Sequence, residues 1–88
     1  MQAKLVCYSL ENANSTVRRN FHREFYGYTD VSCNGKYLYK RKGIIHSVSY
    51  RKVLDAIILT TNEKPLVKVL RKYKAKIRIF DVLINFKL

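Results

Sequence analysis

Asn34 to Lys42 reads NGKYLYKRK, and its reading fixes the middle of the fold. Asn-Gly is a strong hairpin signal, because both residues tolerate the positive φ of a tight type I′ turn. The residues that follow alternate. Tyr37 and Tyr39 fall on one strand face, Leu38 and Lys40 on the other. Lys40, Arg41 and Lys42 close the stretch before Gly43. A hairpin is therefore expected from strands 28–33 and 36–42. A two-residue loop sets its register: Cys33 opposite Lys36, Ser32 opposite Tyr37, Val31 opposite Leu38, Asp30 opposite Tyr39. Val31 and Leu38 then share the face expected to look inward. Tyr37 and Tyr39 share the other with Ser32 and Asp30.

Toward the N-terminus, Val17, Phe21 and Phe25 recur every four residues, which predicts one helical stripe over 15–26. Asn14 or Ser15 caps it, and Gly27 ends it. The Asn14-Ser15-Thr16 triplet would suit glycosylation in a secreted chain but reads here as a cap. Arg19 and Arg23 project away from the stripe. Before this helix, Lys4 to Leu10 is apolar on both faces, the pattern of a strand inside a covered sheet.

Toward the C-terminus, Gly43 permits a turn before a possible extended segment, Ile44 to Tyr50. Val53 to Thr60 (VLDAIILT) reads as a second strand apolar on both faces. Asn62 caps a helix running to about Tyr73, with Pro65 tolerated in its first turn. Leu66, Val69, Leu70 and Tyr73 form its apolar face, with Val67 at the margin. Lys64, Lys68, Arg71 and Lys72 form a basic stripe opposite. In the last strand, Ala75, Ile77 and Ile79 alternate with Lys76 and Arg78. The phase then switches to Phe80, Val82, Ile84 and Phe86. Such a switch predicts a bulge, or a strand that leaves its sheet to cover another surface.

Strand, helix, hairpin, strand, helix, strand over 88 residues predicts one α+β domain spanning 1–88. The expected architecture is a ferredoxin-like two-layer sandwich: an antiparallel sheet, two helices on one face, and an elaborated central β-hairpin. In that arrangement 4–10 and 53–60 are the central strands. The uncovered apolar face then needs a cover, either the 80–88 tail or a second protomer, and a two-fold homodimer is expected.

The element order resembles that of RNA-recognition motif domains and of small CRISPR-associated ferredoxin-like proteins, which dimerise. The signature positions differ. Val6 stands where the first group has an aromatic, and Lys42-Gly43-Ile44 lacks the aromatic that follows its glycine. Tyr8-Ser9 replaces the Tyr-Asp of the second group. The resemblance is one of element order alone.

Charge gives the functional reading. Eighteen Lys and Arg face six Asp and Glu, a net charge of +12. Ion-pair networks would need matching acids, so a polyanionic partner is the expected use of the surplus. Rings interleaved with cations suit nucleic acid: rings stack on bases and cations neutralise phosphates. The alternative is an edge hairpin whose lysines discourage aggregation. The expected contacts are Lys36, Tyr37, Tyr39, Lys40, Arg41 and Lys42, then Arg51 and Lys52, then Lys64, Lys68, Arg71 and Lys72.

The expected function is a small DNA- or RNA-binding protein that grips mainly the phosphate backbone as a homodimer. Two other classes compete: a basic subunit for an acidic protein, and a small nuclease. Two-metal cleavage needs convergent carboxylates, whereas Asp30, Asp55, Asp81 and Glu24 are scattered and read as partners for cations. His22, among Arg18, Arg19 and Arg23, and His46, near the basic turn, are the available general acids and bases. No P-loop, dinucleotide motif or metal-ligand spacing occurs, and neither a metal nor a cofactor is expected. Cys7 and Cys33 have no zinc spacing and read as reduced thiols, with a mutual bridge as the alternative. No signal-peptide layout is visible and no apolar run approaches the ~20 residues that span a bilayer. The second helix could lie on an anionic surface, but its apolar face is needed by the core. No membrane partner is expected, and the cytoplasm is the expected location.

Overall fold

The sheet is built on the two segments that read as apolar on both faces. In a computed structural model, which describes residues 1–32 and 34–88, the elements run β1 (Gln2–Ser9), α1 (Ser15–Tyr26), β2 (Gly27–Ser32), β3 (Tyr37–Lys42), β4 (Tyr50–Leu54), β5 (Ile57–Thr60), α2 (Lys64–Lys72) and β6 (Lys76–Leu83). Four strands pair antiparallel in the order β4-β5-β1-β6, so β1 and β5 are both central. β2 and β3 form a separate two-stranded sheet. The protein is an α+β fold. The pairing and thiol state expected of Cys33 lie outside the described residues.

Both helices pack on one face of the four-stranded sheet. Val6 and Ile58 are cross-strand partners and point the same way. Phe21 and Phe25 of α1 and Leu66, Val69 and Leu70 of α2 cover them. Asn14 caps α1, its Oδ1 accepting from the Val17 N–H at 2.9 Å. Gly27 closes α1 at φ 87°, a conformation that costs a glycine little. At α2, Asn62 Oδ1 accepts from the Lys64 N–H at 3.3 Å, one residue ahead of the N-cap position, which is Glu63. Fully buried Thr60 donates its hydroxyl to Ser49 O at 2.8 Å and accepts from the Asn62 N–H at 3.2 Å. That satisfied polar group pins the start of β4 to the entry of α2.

Four expectations are corrected. First, VLDAIILT is not one strand. The chain reverses at Asp55-Ala56, with Ala56 at φ 64°, and its halves pair as β4 and β5. The sheet's hairpin is therefore 50–60, not 28–42. Second, Ile44 to Ser47 is a 3-10 turn rather than an extended segment. It drives Ile45, wholly buried, between the two helices. Third, Val31 and Leu38 do not face inward: they are 56% and 68% exposed. Lys40 and Lys42 share their face, and Arg41 and Asp30 occupy the opposite one. Neither side of the ribbon could be buried without stripping charges of water. Fourth, β6 has no bulge. It pairs with β1 without a shift from Ser9↔Lys76 to Gln2↔Leu83. The phase switch means that Ile77 and Ile79 face the helices while Phe80 and Val82 face the opposite side.

The tail takes up the second option. The Met1 amine donates to Ile84 O at 3.0 Å, and the Ile84 N–H donates to Met1 O at 2.9 Å. Phe86 then lies under Arg51 of β4, guanidinium to ring 4.5 Å. β6 and β4 are opposite edges, so the tail crosses the helix-free face. Ala3 and Leu59 are buried there, whereas Phe80 and Leu54 stay 50% and 65% exposed.

Candidate nucleic-acid interface

The β2–β3 ribbon leaves the sandwich at a joint where backbone packs closely on backbone. A Cβ on Gly27 would lie 2.2 Å from Arg41 O, and one on Gly43 would lie 2.3 Å from Phe25 O. The end of α1, the start of β2 and the exit of β3 are thus stacked main chain on main chain. His46 seals the joint, its Nδ1 accepting from the Gly43 N–H at 3.1 Å. At the other end Asn34 and Gly35 sit at φ 56° and 87°, as the turn reading requires. Strands of six residues at ~3.3 Å per residue give the ribbon a reach of about 20 Å. The radius of gyration is 14.5 Å, against about 12 Å for a compact chain of this length.

The expected register holds: Ser32↔Tyr37, Val31↔Leu38 and Asp30↔Tyr39. It sorts the ribbon into two faces. One carries Tyr28, Tyr37, Tyr39 and Arg41, with Asp30 3.5 Å from Arg41. The other carries Val31, Leu38, Lys40 and Lys42. The Tyr37 and Tyr39 rings are 46% and 50% exposed. At the root, Tyr28, Lys40, Arg41, Lys42 and His46 line a groove of about 390 Å³. Arg23, in the last turn of α1, sets its guanidinium 4.8 Å from the Tyr28 ring. Arg23 and Tyr28 extend the site beyond the residues expected from sequence. The register alone would have found Tyr28, which faces Arg41 across the ribbon.

The second-helix stripe divides between two grooves. Lys64, Lys68 and Lys72 flank one of about 810 Å³ whose far wall is Ile44. Lys64, Lys68 and Arg71 flank another of about 480 Å³ beside Ile79. Ile44 follows Lys42 by two residues, so the basic turn leads directly into the first groove. Lys72 is partly spent, its Nζ 2.6 Å from Glu24 Oε1. That hydrogen bond and the carboxylate's charge hold the Lys72 ammonium above its ordinary range.

Arg51 and Lys52 are not brought together. Arg51 is on the helix-free face over Phe86. Lys52 faces the helices, 4.9 Å from the Tyr26 ring and 3.3 Å from Asp55.

The carboxylates are dispersed. Asp30 pairs with Arg41, Asp55 with Lys52, Asp81 with Lys4, Glu24 with Lys72, and Glu11 with Lys76. Among the described residues no three of His, Cys, Asp and Glu gather as metal ligands would. His22 is exposed on α1, its ring 4.9 Å from that of Tyr26. Among the described residues no helix is long and apolar enough to cross a membrane.

No protein-family model, curated protein or solved structure matches the chain.

Proposed function

We propose that this is a small cytoplasmic nucleic-acid-binding protein that grips phosphates with the β2–β3 ribbon and the Lys64–Lys68 side of α2. One observation carries the reading. The ribbon holds four cations, Lys36, Lys40, Arg41 and Lys42, and three rings, Tyr28, Tyr37 and Tyr39, all left to solvent rather than to the core, with Arg23 of α1 at its root. A surplus of twelve positive charges costs a compact chain stability through self-repulsion, and a polyanion relieves it. The fold reads as a ferredoxin-like sandwich. With the ribbon and the 3-10 turn set aside, strand, helix, strand, strand, helix, strand remain in the order β4-β5-β1-β6. The protein is further proposed to act as a homodimer through the helix-free face, where Phe80 and Leu54 stay open beside the tail. A monomeric mass by ultracentrifugation at micromolar concentration overturns the dimer.

The binding test is titration with DNA and RNA, single- and double-stranded, at two or more salt concentrations. If about six phosphates are neutralised, log affinity for duplex falls against log salt with a slope of about −5. Replacing Lys40, Arg41 and Lys42 together by Ala weakens binding and reduces that slope by about three. Unchanged binding moves the site to Lys64, Lys68, Arg71 and Lys72. Absence of binding to all four polymers at low salt overturns the reading in favour of an acidic protein partner.

A further inference from the structure

The tyrosine face of the ribbon carries a spacing that phosphate binding does not use. Lys36 Nζ stands 5.8 Å over the Tyr37 ring. The Tyr37 and Tyr39 rings are 6.5 Å apart and within 25° of parallel. Arg41 Cζ stands 5.9 Å over Tyr39. Arg41 is the next residue on the same face of β3, so a guanidinium over the Tyr39 ring means that the ring normal runs along the strand. Cation, ring, ring and cation thus form a ladder. The 6.5 Å gap between the two rings is close to twice the ~3.4 Å between stacked bases.

The pleat sets this spacing, since side chains on one face recur every two residues, or ~6.6 Å. A flat ring system entering between Tyr37 and Tyr39 would make stacking contact on both sides. Both rings are half exposed, so the gap opens to solvent. Asp30, 3.5 Å from Arg41, holds the guanidinium in line. A duplex closes the faces of its bases against their neighbours and cannot fill such a gap. A single strand can unstack and do so.

We infer that the ladder is a receptor for single-stranded nucleic acid, one base inserting between Tyr37 and Tyr39 while Lys36 and Arg41 meet the flanking phosphates. This rests on the nucleic-acid reading above. It takes that reading to a strand type, through base faces rather than base edges, so it is tolerant of sequence. The competing geometry is the ribbon lying in a duplex major groove, which is ~12 Å wide and accepts two strands of sheet.

The experiment measures binding of the full chain to oligothymidylate, oligouridylate, a duplex of equal length and an abasic strand, all at one salt concentration. Either single strand is expected to bind at least about tenfold more tightly than the duplex and the abasic strand. Tyr37→Leu with Tyr39→Leu is expected to lower single-strand affinity about 5- to 100-fold with the salt slope unchanged. Tyr37→Phe with Tyr39→Phe is expected to retain it. A duplex bound as tightly as the single strands overturns the ladder. So does an abasic strand bound as tightly as oligothymidylate, an arm that needs no variant to fold. If polymers bind but the Leu variant behaves as wild type, the ladder fails and the phosphate-binding reading stands. If no polymer binds, both fail.

Discussion

The chain makes two hairpins and uses them in opposite ways. β2–β3 has the better turn, Asn34-Gly35 with both φ values positive, and six-residue strands in unbroken register. Every residue of β3 is exposed. β4–β5 has the poorer turn, Asp55-Ala56, and its register is irregular between Lys52 and Leu54. Yet β5 contributes Ile58, Leu59 and Thr60 to the buried interior. Turn chemistry decides where a chain reverses; side-chain alternation decides what it can bury. Cations on both faces of β3 forbid burial, whereas Ile57 to Thr60 offers apolar or satisfied groups on both.

If the ribbon is an appendage, removing it separates function from fold. Excising residues 28–42 and joining Gly27 to Gly43 through two glycines is expected to cut nucleic-acid affinity more than about tenfold. Unfolding in urea stays cooperative, with stability within about 1 kcal/mol, since shortening a loop changes closure entropy little. Loss of cooperative unfolding breaks the comparison by showing that the ribbon supports the core.

Single truncations sharpen the same contrast. Ile58→Ala, in a site without solvent access, is expected to cost about 2–5 kcal/mol. Leu38→Ala, 68% exposed, is expected to stay within about 0.5 kcal/mol. Urea titration of the two variants side by side is the measurement. A costly Leu38→Ala means that the ribbon is covered in solution.

The ribbon's two ends differ as well. Gly27→Ala combines a left-handed φ of 87° with a Cβ 2.2 Å from Arg41 O. Left-handed strain of about 1–2 kcal/mol and overpacking of about 1–3 kcal/mol act together there. Gly43→Ala meets only the overpacking, and Gly35→Ala only the strain, having no neighbour within 4 Å. Thermal unfolding is expected to rank Gly27→Ala as the most damaging. Equal effects at Gly27 and Gly35 would argue against the close-packed joint.

The helices were legible because their signals are local. Val17, Phe21 and Phe25 at one spacing, Asn14 before them and Gly27 after them bound α1 to the residue. The ribbon register followed from its turn. The Asp55-Ala56 reversal was not legible, since alanine at positive φ leaves no mark in composition and VLDAIILT is apolar on both faces, as one covered strand would be. Ile44-Ile45 has the composition of a strand, and only its burial between helices makes it a turn. For that reason the groove joining Ile44 to Lys64 and Lys68 was invisible, although each lysine was named. Arg51 and Lys52, named together from sequence, lie on opposite faces of β4, because adjacent strand residues point opposite ways.

The two hairpins meet at Tyr8, and pH tests that meeting. The Tyr8 N–H donates to Ala56 O at 3.1 Å, tying β1 to the turn of the sheet hairpin. Its hydroxyl hydrogen-bonds that of Tyr26, the last residue of α1 before the ribbon. Burial first, and the Tyr26 bond second, raise Tyr8 far above the ordinary phenol value of 10.0. A raised folded-state pKa contributes stability that is complete below pH 10 and is lost as pH rises beyond it, because only the unfolded chain can then ionise this phenol. Tyr8→Phe keeps the ring and removes the titration. It is expected to cost about 0.5–1.5 kcal/mol at neutral pH through the lost hydrogen bond. Above pH 10 that deficit shrinks, because wild type alone carries the alkaline penalty. Urea unfolding of both proteins across that range reads the convergence. Parallel curves would mean that Tyr8 ionises while folded, and that the joint between the hairpins is open to water.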